Sequence, residues 1–189
     1  MSVISIPRKG DRTRAAILTA ATAAFGDRGF EVATLEDVGR GLGLTRSAVL
    51  HHFGCKNEIL REIIGPFLAE LDALLDGVDV AAPMSPHRRR RFLTDFVNLL
   101  CDNRCVSSLV ARDITAQPHM DPALRLADRI ERFCRILVGP EPTPAQRLRA
   151  LIALGGIVRP VAAPPYLVGL ATPEERRVMV DCAVASLRG

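Results

Sequence analysis

The 189-residue chain has no tryptophan, a single tyrosine and only 4% aromatic residues. A core of this composition must be built from Leu, Ile, Val and Ala, and hydrophobic residues make up 48% of the sequence. That supply is ample for packed helices without disulfide or metal staples. Lysine is nearly absent, at Lys9 and Lys56 alone, so the positive charge is carried by arginine. The net charge of +4 and pI near 9.1 permit a polyanionic partner without requiring one. Five scattered cysteines (Cys55, Cys101, Cys105, Cys134, Cys182) are odd in number and sparse for a disulfide scaffold, which argues for a reducing, cytoplasmic setting. The opening MSVISIPRKG places its charges after a very short apolar run, the reverse of a secretory signal, so export is not expected. The one stretch long enough to span a bilayer, Ala150 to Ala171, is interrupted by Arg159, Pro160, Pro164 and Pro165. Broken backbone hydrogen bonds would be costly in lipid, so this reads as a buried helix followed by a proline-rich loop, with no membrane partner.

What the sequence does contain is helix punctuation. Thr34-Leu-Glu-Asp37, Thr143-Pro-Ala-Gln146 and Thr172-Pro-Glu-Glu175 each set a capping hydroxyl three residues before an acceptor that can reach back to its amide. Between breakers, helices are predicted near 12–28, 34–42, 45–53 and 56–76, the last bent at Gly65-Pro66. Further helices are predicted near 89–101, 106–115, 122–137, 144–158 and 173–187. Apolar residues recur at a period of 3.6, with no sustained alternation of period two, so the expected class is all-α with about nine helices. Residues 1–60 are expected to form a small N-terminal unit and 61–189 a larger helical body.

Within the first unit, 34–42 and 45–53 flank a Gly43-Leu44 link with the dimensions of a helix-turn-helix. Gly39 falls where the two helices would cross, and its cost in helix propensity, about 1 kcal/mol, points to a packing reason. Spacing alone leaves open whether this is a DNA reader or an ordinary helical hairpin.

The run TRAAILTAATAAFGDRGFEVATLEDVGRGLGLTRSAVLHHFGCKNEIL, residues 13–60, resembles the DNA-binding domain of the TetR family of bacterial regulators. The resemblance rests on the ILxAAxxxF first helix, Gly29-Phe30, Thr34, the Gly43-Leu44-Thr45 turn, His52-Phe53, and Lys56 with Glu58 nearby. It implies that the second helix of the motif enters the major groove, with Arg46, Ser47 and His51 as base readers and Arg46 suited to guanine O6 and N7. Thr34 and Thr45 would meet phosphates through hydroxyls and helix-start amides, and His52 and Lys56 match family positions that contact the DNA backbone. Leu50 stands where the family usually has a phosphate-donating tyrosine, and Gly41 loosens the end of the preceding helix. The segment RKGDRTR reads either as a basic strap for DNA or as a solvated terminus. His87-Arg-Arg-Arg-Arg91 reads mainly as a salt-bridged face, with contact to a DNA backbone or an acidic partner as the alternative.

The resemblance further implies a homodimer binding a palindromic operator and responding to an unidentified small-molecule effector. The expected dimer stripes are Leu148, Leu151, Ile152 and Gly155 on one helix and Val178, Cys182 and Ala185 on another; intrachain core is the alternative. Phe92, Phe96, Leu100, Phe133 and Leu137, with Met120 in a nearby loop, are candidates for an effector pocket or for plain core. Cys101 and Cys105 share a helix face only if the helix runs through Asn103. Two competing functions remain: a helical interaction module with lost or weak DNA binding, and an enzyme with a Cys/His metal site at His51, His52 and Cys55. A structural zinc site needs about four ligands, and no second Cys/His pair with ligand spacing supports the latter. The expectation is therefore a ligand-responsive repressor, not an enzyme, with no catalytic residues, no metal and no cofactor.

Overall fold

A computed structural model describes residues 9–80, 84–114, 125–163, 169 and 172–188. Its helices among the described residues are α1 (Lys9–Arg28), α2 (Leu35–Arg40), α3 (Arg46–His52), α4 (Lys56–Asp76), α5 (Pro86–Asp102), α6 (Arg104–Leu109), α7 (Leu126–Val138), α8 (Pro144–Ala162) and α9 (Pro173–Ser186). A wider π-type turn, Val110–Ile114, prolongs α6, and no strand occurs among the described residues. None of these helices is long and apolar enough to cross a membrane.

The starts of the helices follow the capping chemistry. Thr34, Thr143 and Thr172 each accept from the amide three residues on, while Asp37, Gln146 and Glu175 return the bond to the cap's own amide. Each such cap stabilises its helix by about 1 kcal/mol. The sharpest turns use glycine where the backbone enters the left-handed region, at Gly29 (φ 84°) after α1 and Gly43 (φ 65°) between α2 and α3.

The starts of α1 and α5 differ from the sequence reading. α1 begins at Lys9, so the basic segment from Lys9 onward is helix, and a flexible strap is not what these residues form. Asp11 in the first turn favours that start. Arg14 fixes it further, its guanidinium bonded to Glu62 and 4.3 Å from the centre of the Phe53 ring. α5 begins at Pro86, with Ser85 accepting from the Arg88 amide at 3.3 Å, so the arginine run occupies its opening turns. Cations are unfavourable there. Pairing of Arg90 with Asp181 and of Arg91 with Asp95 offsets part of that cost. The break expected between the helices predicted at 89–101 and 106–115 falls at Asn103 (φ −106°, ψ 33°), which separates Cys101 on α5 from Cys105 on α6.

The chain forms two compact units, residues 1–66 and 67–189. In the first, α1 packs on α2 and α2 on α3 around Ile17, Ala21, Phe25, Val38, Val49, Phe53 and Ile59, all essentially without solvent contact. Burial of such side chains contributes about 1.5–3 kcal/mol apiece for the larger ones. In the second unit α8 is the hub, packed against α5, α6, α7 and α9.

Candidate nucleic-acid interface

The position of α3 is set by its crossing with α2. The Gly39 carbonyl accepts from the amides of both Leu42 and Leu44 at 3.0 Å, folding the turn back over the glycine. A Cβ at residue 39 would collide with the Leu44 carbonyl oxygen and lie 3.2 Å from the Leu44 carbonyl carbon. Only glycine lets the helices approach this closely. Val49 anchors the inner side of α3, fully buried, and Phe53 closes its end.

With that side fixed, Arg46, Ser47 and His51 are exposed on α3. Thr45 caps the helix, its hydroxyl oxygen accepting from the Ala48 amide at 3.2 Å. Arg46 is 64% exposed, and its Nε lies 3.7 Å from Glu36 on α2, an exposed pair that holds the guanidinium only loosely. The His51 and His52 rings meet edge to face at 5.8 Å, with His52 half-buried. Among the described residues no three His, Cys, Asp or Glu side chains are placed to hold a metal ion.

Several polar groups near this head are already engaged. The Thr34 hydroxyl donates to Asp37 at 2.9 Å while accepting from the Asp37 amide. Asp37 also takes Arg28 at 2.9 Å and Arg40 at 3.2 Å. The Thr34 hydrogen bonds, aided by the two arginines, hold the Asp37 carboxyl below the usual carboxylate range. Lys56 donates to the carbonyls of Phe30 and Glu31 and lies 4.4 Å from the Phe30 ring centre. Burial pushes its ammonium below the usual lysine range. Two of its three donors are thus used inside the fold. Glu58 accepts from the Gly54 amide at 2.9 Å and so caps the start of α4. The hub role of Asp37, the Arg14–Glu62 pair and the Lys56 tie were not apparent in the sequence. The first had a visible signal in the Thr34-x-x-Asp37 box.

The second unit contains a cavity of about 300 Å³ that opens to solvent. Phe96, Leu100 and Phe133 line it, whereas Phe92 and Leu137 are buried outside its wall. Met120 lies outside the described residues. On α8 and α9, Leu148 (58% exposed), Leu151 (41%), Ile152 (53%) and Val178 (51%) face outward, as do Cys182 and Ala185, while Gly155 is half-exposed on the cavity wall. Cys101 is buried, and that burial raises its thiol pKa, which disfavours the reactive thiolate.

Residues 17–63 match the family model described as bacterial regulatory proteins, tetR family. Over 84 residues the chain is 32% identical to the HTH-type transcriptional repressor KstR2 of Mycobacterium tuberculosis, covering 44% of this chain and 42% of that protein. The chain thus matches less than half the length of its curated relatives. Among solved structures it is similar to the TetR family transcriptional regulator PfmR from Thermus thermophilus, with 25% identity and a TM-score of 0.64. That match covers 92% of this chain and 97% of the other. It shares its fold with Mycobacterium smegmatis AmtR at a TM-score of 0.71 and 18% identity, over 97% of this chain and 89% of that one.

Proposed function

Because the chain belongs to the TetR family of bacterial regulatory proteins, we propose that it is a homodimeric repressor that binds a palindromic operator and releases it when a small molecule enters the second unit. The observation that carries this reading is α3, clamped on its inner side by Gly39 and Val49 while Arg46, Ser47 and His51 are exposed on the other. A helix presented this way fits the major groove. Arg46 is the residue for guanine, His51 and Ser47 read adjacent edges, and the Thr45 hydroxyl keeps its own proton for a phosphate. Thr34 acts through the helix start it caps, and His52 and Lys56 approach the backbone with the donors left to them. The uncovered stripe on α8 and α9 is the surface for a second copy, which sets two heads against two half-sites. The cavity supplies the effector site.

A selection from random duplexes at fixed salt tests this. Enriched sites should be inverted repeats whose half-site centres lie about one helical turn, or a multiple of it, apart. Recovery of no sequence would end the proposal. A second reading, a helical module with weak and sequence-indifferent DNA affinity, is motivated by Leu50 and by the internal commitments of Thr34 and Lys56. It would appear as tight dimers whose DNA binding vanishes with modest salt.

A further inference from the structure

The wall of the cavity in the second unit is almost wholly apolar, formed by side chains such as Phe67, Leu71, Phe96, Ile130 and Phe133. Three polar side chains interrupt it: Ser107, Arg129 and Arg159. They are in different states. Arg129 makes a two-pronged pair with Asp72, at 2.7 and 2.6 Å, so its charge is matched within the protein. Ser107 is 4% exposed, and its hydroxyl has no hydrogen-bond partner. A buried hydroxyl without a partner costs about 1–3 kcal/mol, and its usual recourse on a helix, the carbonyl four residues back, is not taken. Arg159 is exposed, and no carboxylate among the described residues pairs with it.

Ser107 lies on α6 and Arg159 on α8, two helices that pack against each other. Arg104, one turn before Ser107 on α6, donates to the carbonyls of Val161 at 3.4 Å and Ala163 at 2.9 Å, at the end of α8. Arg159 lies two residues before Val161 on that helix. The cavity lining thus includes a buried hydroxyl without a partner and a cation, open to solvent, without a carboxylate.

Resting on the effector-site reading above, we propose that this cavity takes an apolar carboxylic acid. Its hydrocarbon body lies among the phenylalanines and leucines, and its carboxylate is held by Arg159 with an oxygen in reach of the Ser107 hydroxyl. At about 30 Å³ for each water-sized group, the cavity holds about ten non-hydrogen atoms, the size of a medium-chain or single-ring acid. A cationic or neutral amphiphile of the same length leaves Arg159 unmatched and Ser107 without a charged acceptor. Guanidinium–carboxylate hydrogen bonds are about twice as strong as neutral ones, so the head group decides between equally oily ligands.

The test uses the full-length protein and three probes of equal chain length, decanoate, decan-1-ol and decylamine, titrated by calorimetry. Decanoate should bind at least tenfold more tightly than either of the others. Arg159→Gln should remove most of that preference, and Ser107→Ala should weaken decanoate several-fold while leaving decan-1-ol within twofold. Leu154→Trp, which fills the cavity from α8, should abolish binding of all three with the protein still folded by circular dichroism. Equal affinities for the three probes, or a decanoate preference that survives Arg159→Gln, would overturn the assignment. Each probe is also added to the operator complex. If decan-1-ol binds as well as decanoate and releases DNA, the carboxylate assignment falls and the ligand-responsive reading stands. Cavity binding of decanoate with the operator complex untouched would sink the ligand response and keep the carboxylate site.

Discussion

Gly39→Ala tests the crossing on which the whole reading head depends. The substitution gains about 1 kcal/mol of helix propensity in α2. Against that, the new Cβ would collide with the Leu44 carbonyl, 3.2 Å from its carbon and about 1 Å inside the ~3.3–3.6 Å that carbon and oxygen prefer. The neighbour is backbone, held by the Leu44 amide's own bond to Gly39, and cannot swing aside as a flexible side chain would. Overpacking of this kind costs about 1–3 kcal/mol, and a backbone obstacle belongs at the upper end. The net expectation is a loss of about 2 kcal/mol. For a chain of this size that corresponds to a fall in Tm of about 4–8 °C. The internal control lies two residues away. Gly41 has φ −70° and ψ −13°, with nothing within 4 Å of the place a Cβ would take. Gly41→Ala should therefore stabilise by about 0.5–1 kcal/mol through the unfolded chain. Thermal unfolding by circular dichroism reads both variants, and DNA binding reads the displacement of α3. If Gly39→Ala melts at or above the parent, or if both variants shift in the same direction, the close crossing is not what holds the motif.

Arg46→Ala should weaken binding to the selected operator by about 1–3 kcal/mol and relax the preference at one base pair per half-site, as measured by competition with single-base variants. Glu36→Ala should leave Tm within about 0.5 kcal/mol equivalent, because the pair it breaks is exposed, yet tighten DNA binding by removing a negative charge beside Arg46. Weaker binding in that variant would show that Glu36 orients Arg46. Asp37 carries a depressed folded-state pKa, so its contribution is full above the ordinary carboxylate range and is lost as pH falls through the folded value. Asp37→Asn should accordingly melt below the parent at pH 7, with the gap closing under pH 4; a gap constant down to pH 2.5 refutes the linkage. Ile152→Asp places a charge on the outward stripe of α8 and should convert dimer to monomer in light scattering after size exclusion. A dimer that persists at micromolar concentration puts the interface elsewhere.

Much of this architecture was legible because its determinants are local. The three threonine caps, the left-handed turn at Gly43 and the apolar period of α1 all act within a few residues, and each appears where the spacing places it. Gly39 was legible for a different reason, since a glycine inside a helix needs an explanation and a crossing supplies one. What the sequence concealed are pairings across long separations. Glu62 lies 48 residues from Arg14, and Phe30 lies 26 from Lys56. No period or motif announces such partners, so Arg14 read as part of a basic arm and Lys56 as a free phosphate contact. The Ser107 hydroxyl was equally hidden, because its lack of a partner is a property of the surrounding fold.

These concealed pairings narrow how the head can work. With Thr34 bound to Asp37, Arg14 to Glu62 and Lys56 to two carbonyls, the polar side chains of the first unit mostly hold the unit together. On the proposed reading, base recognition falls to Arg46, Ser47 and His51. A good bidentate base contact contributes about 1–3 kcal/mol of discrimination, and of the three only Arg46 has the fork to make one, so three contacts give at most about 9 kcal/mol per half-site. The roughly 4–10 kcal/mol that separates specific from non-specific binding is at the edge of what one such head can supply. Two heads on a rigid dimer double the discrimination without adding a contact type. The sparse reading face on α3 and the uncovered apolar stripe on α8 and α9 are then two halves of one requirement, and loss of the stripe should cost more specificity than loss of any one base-reading side chain.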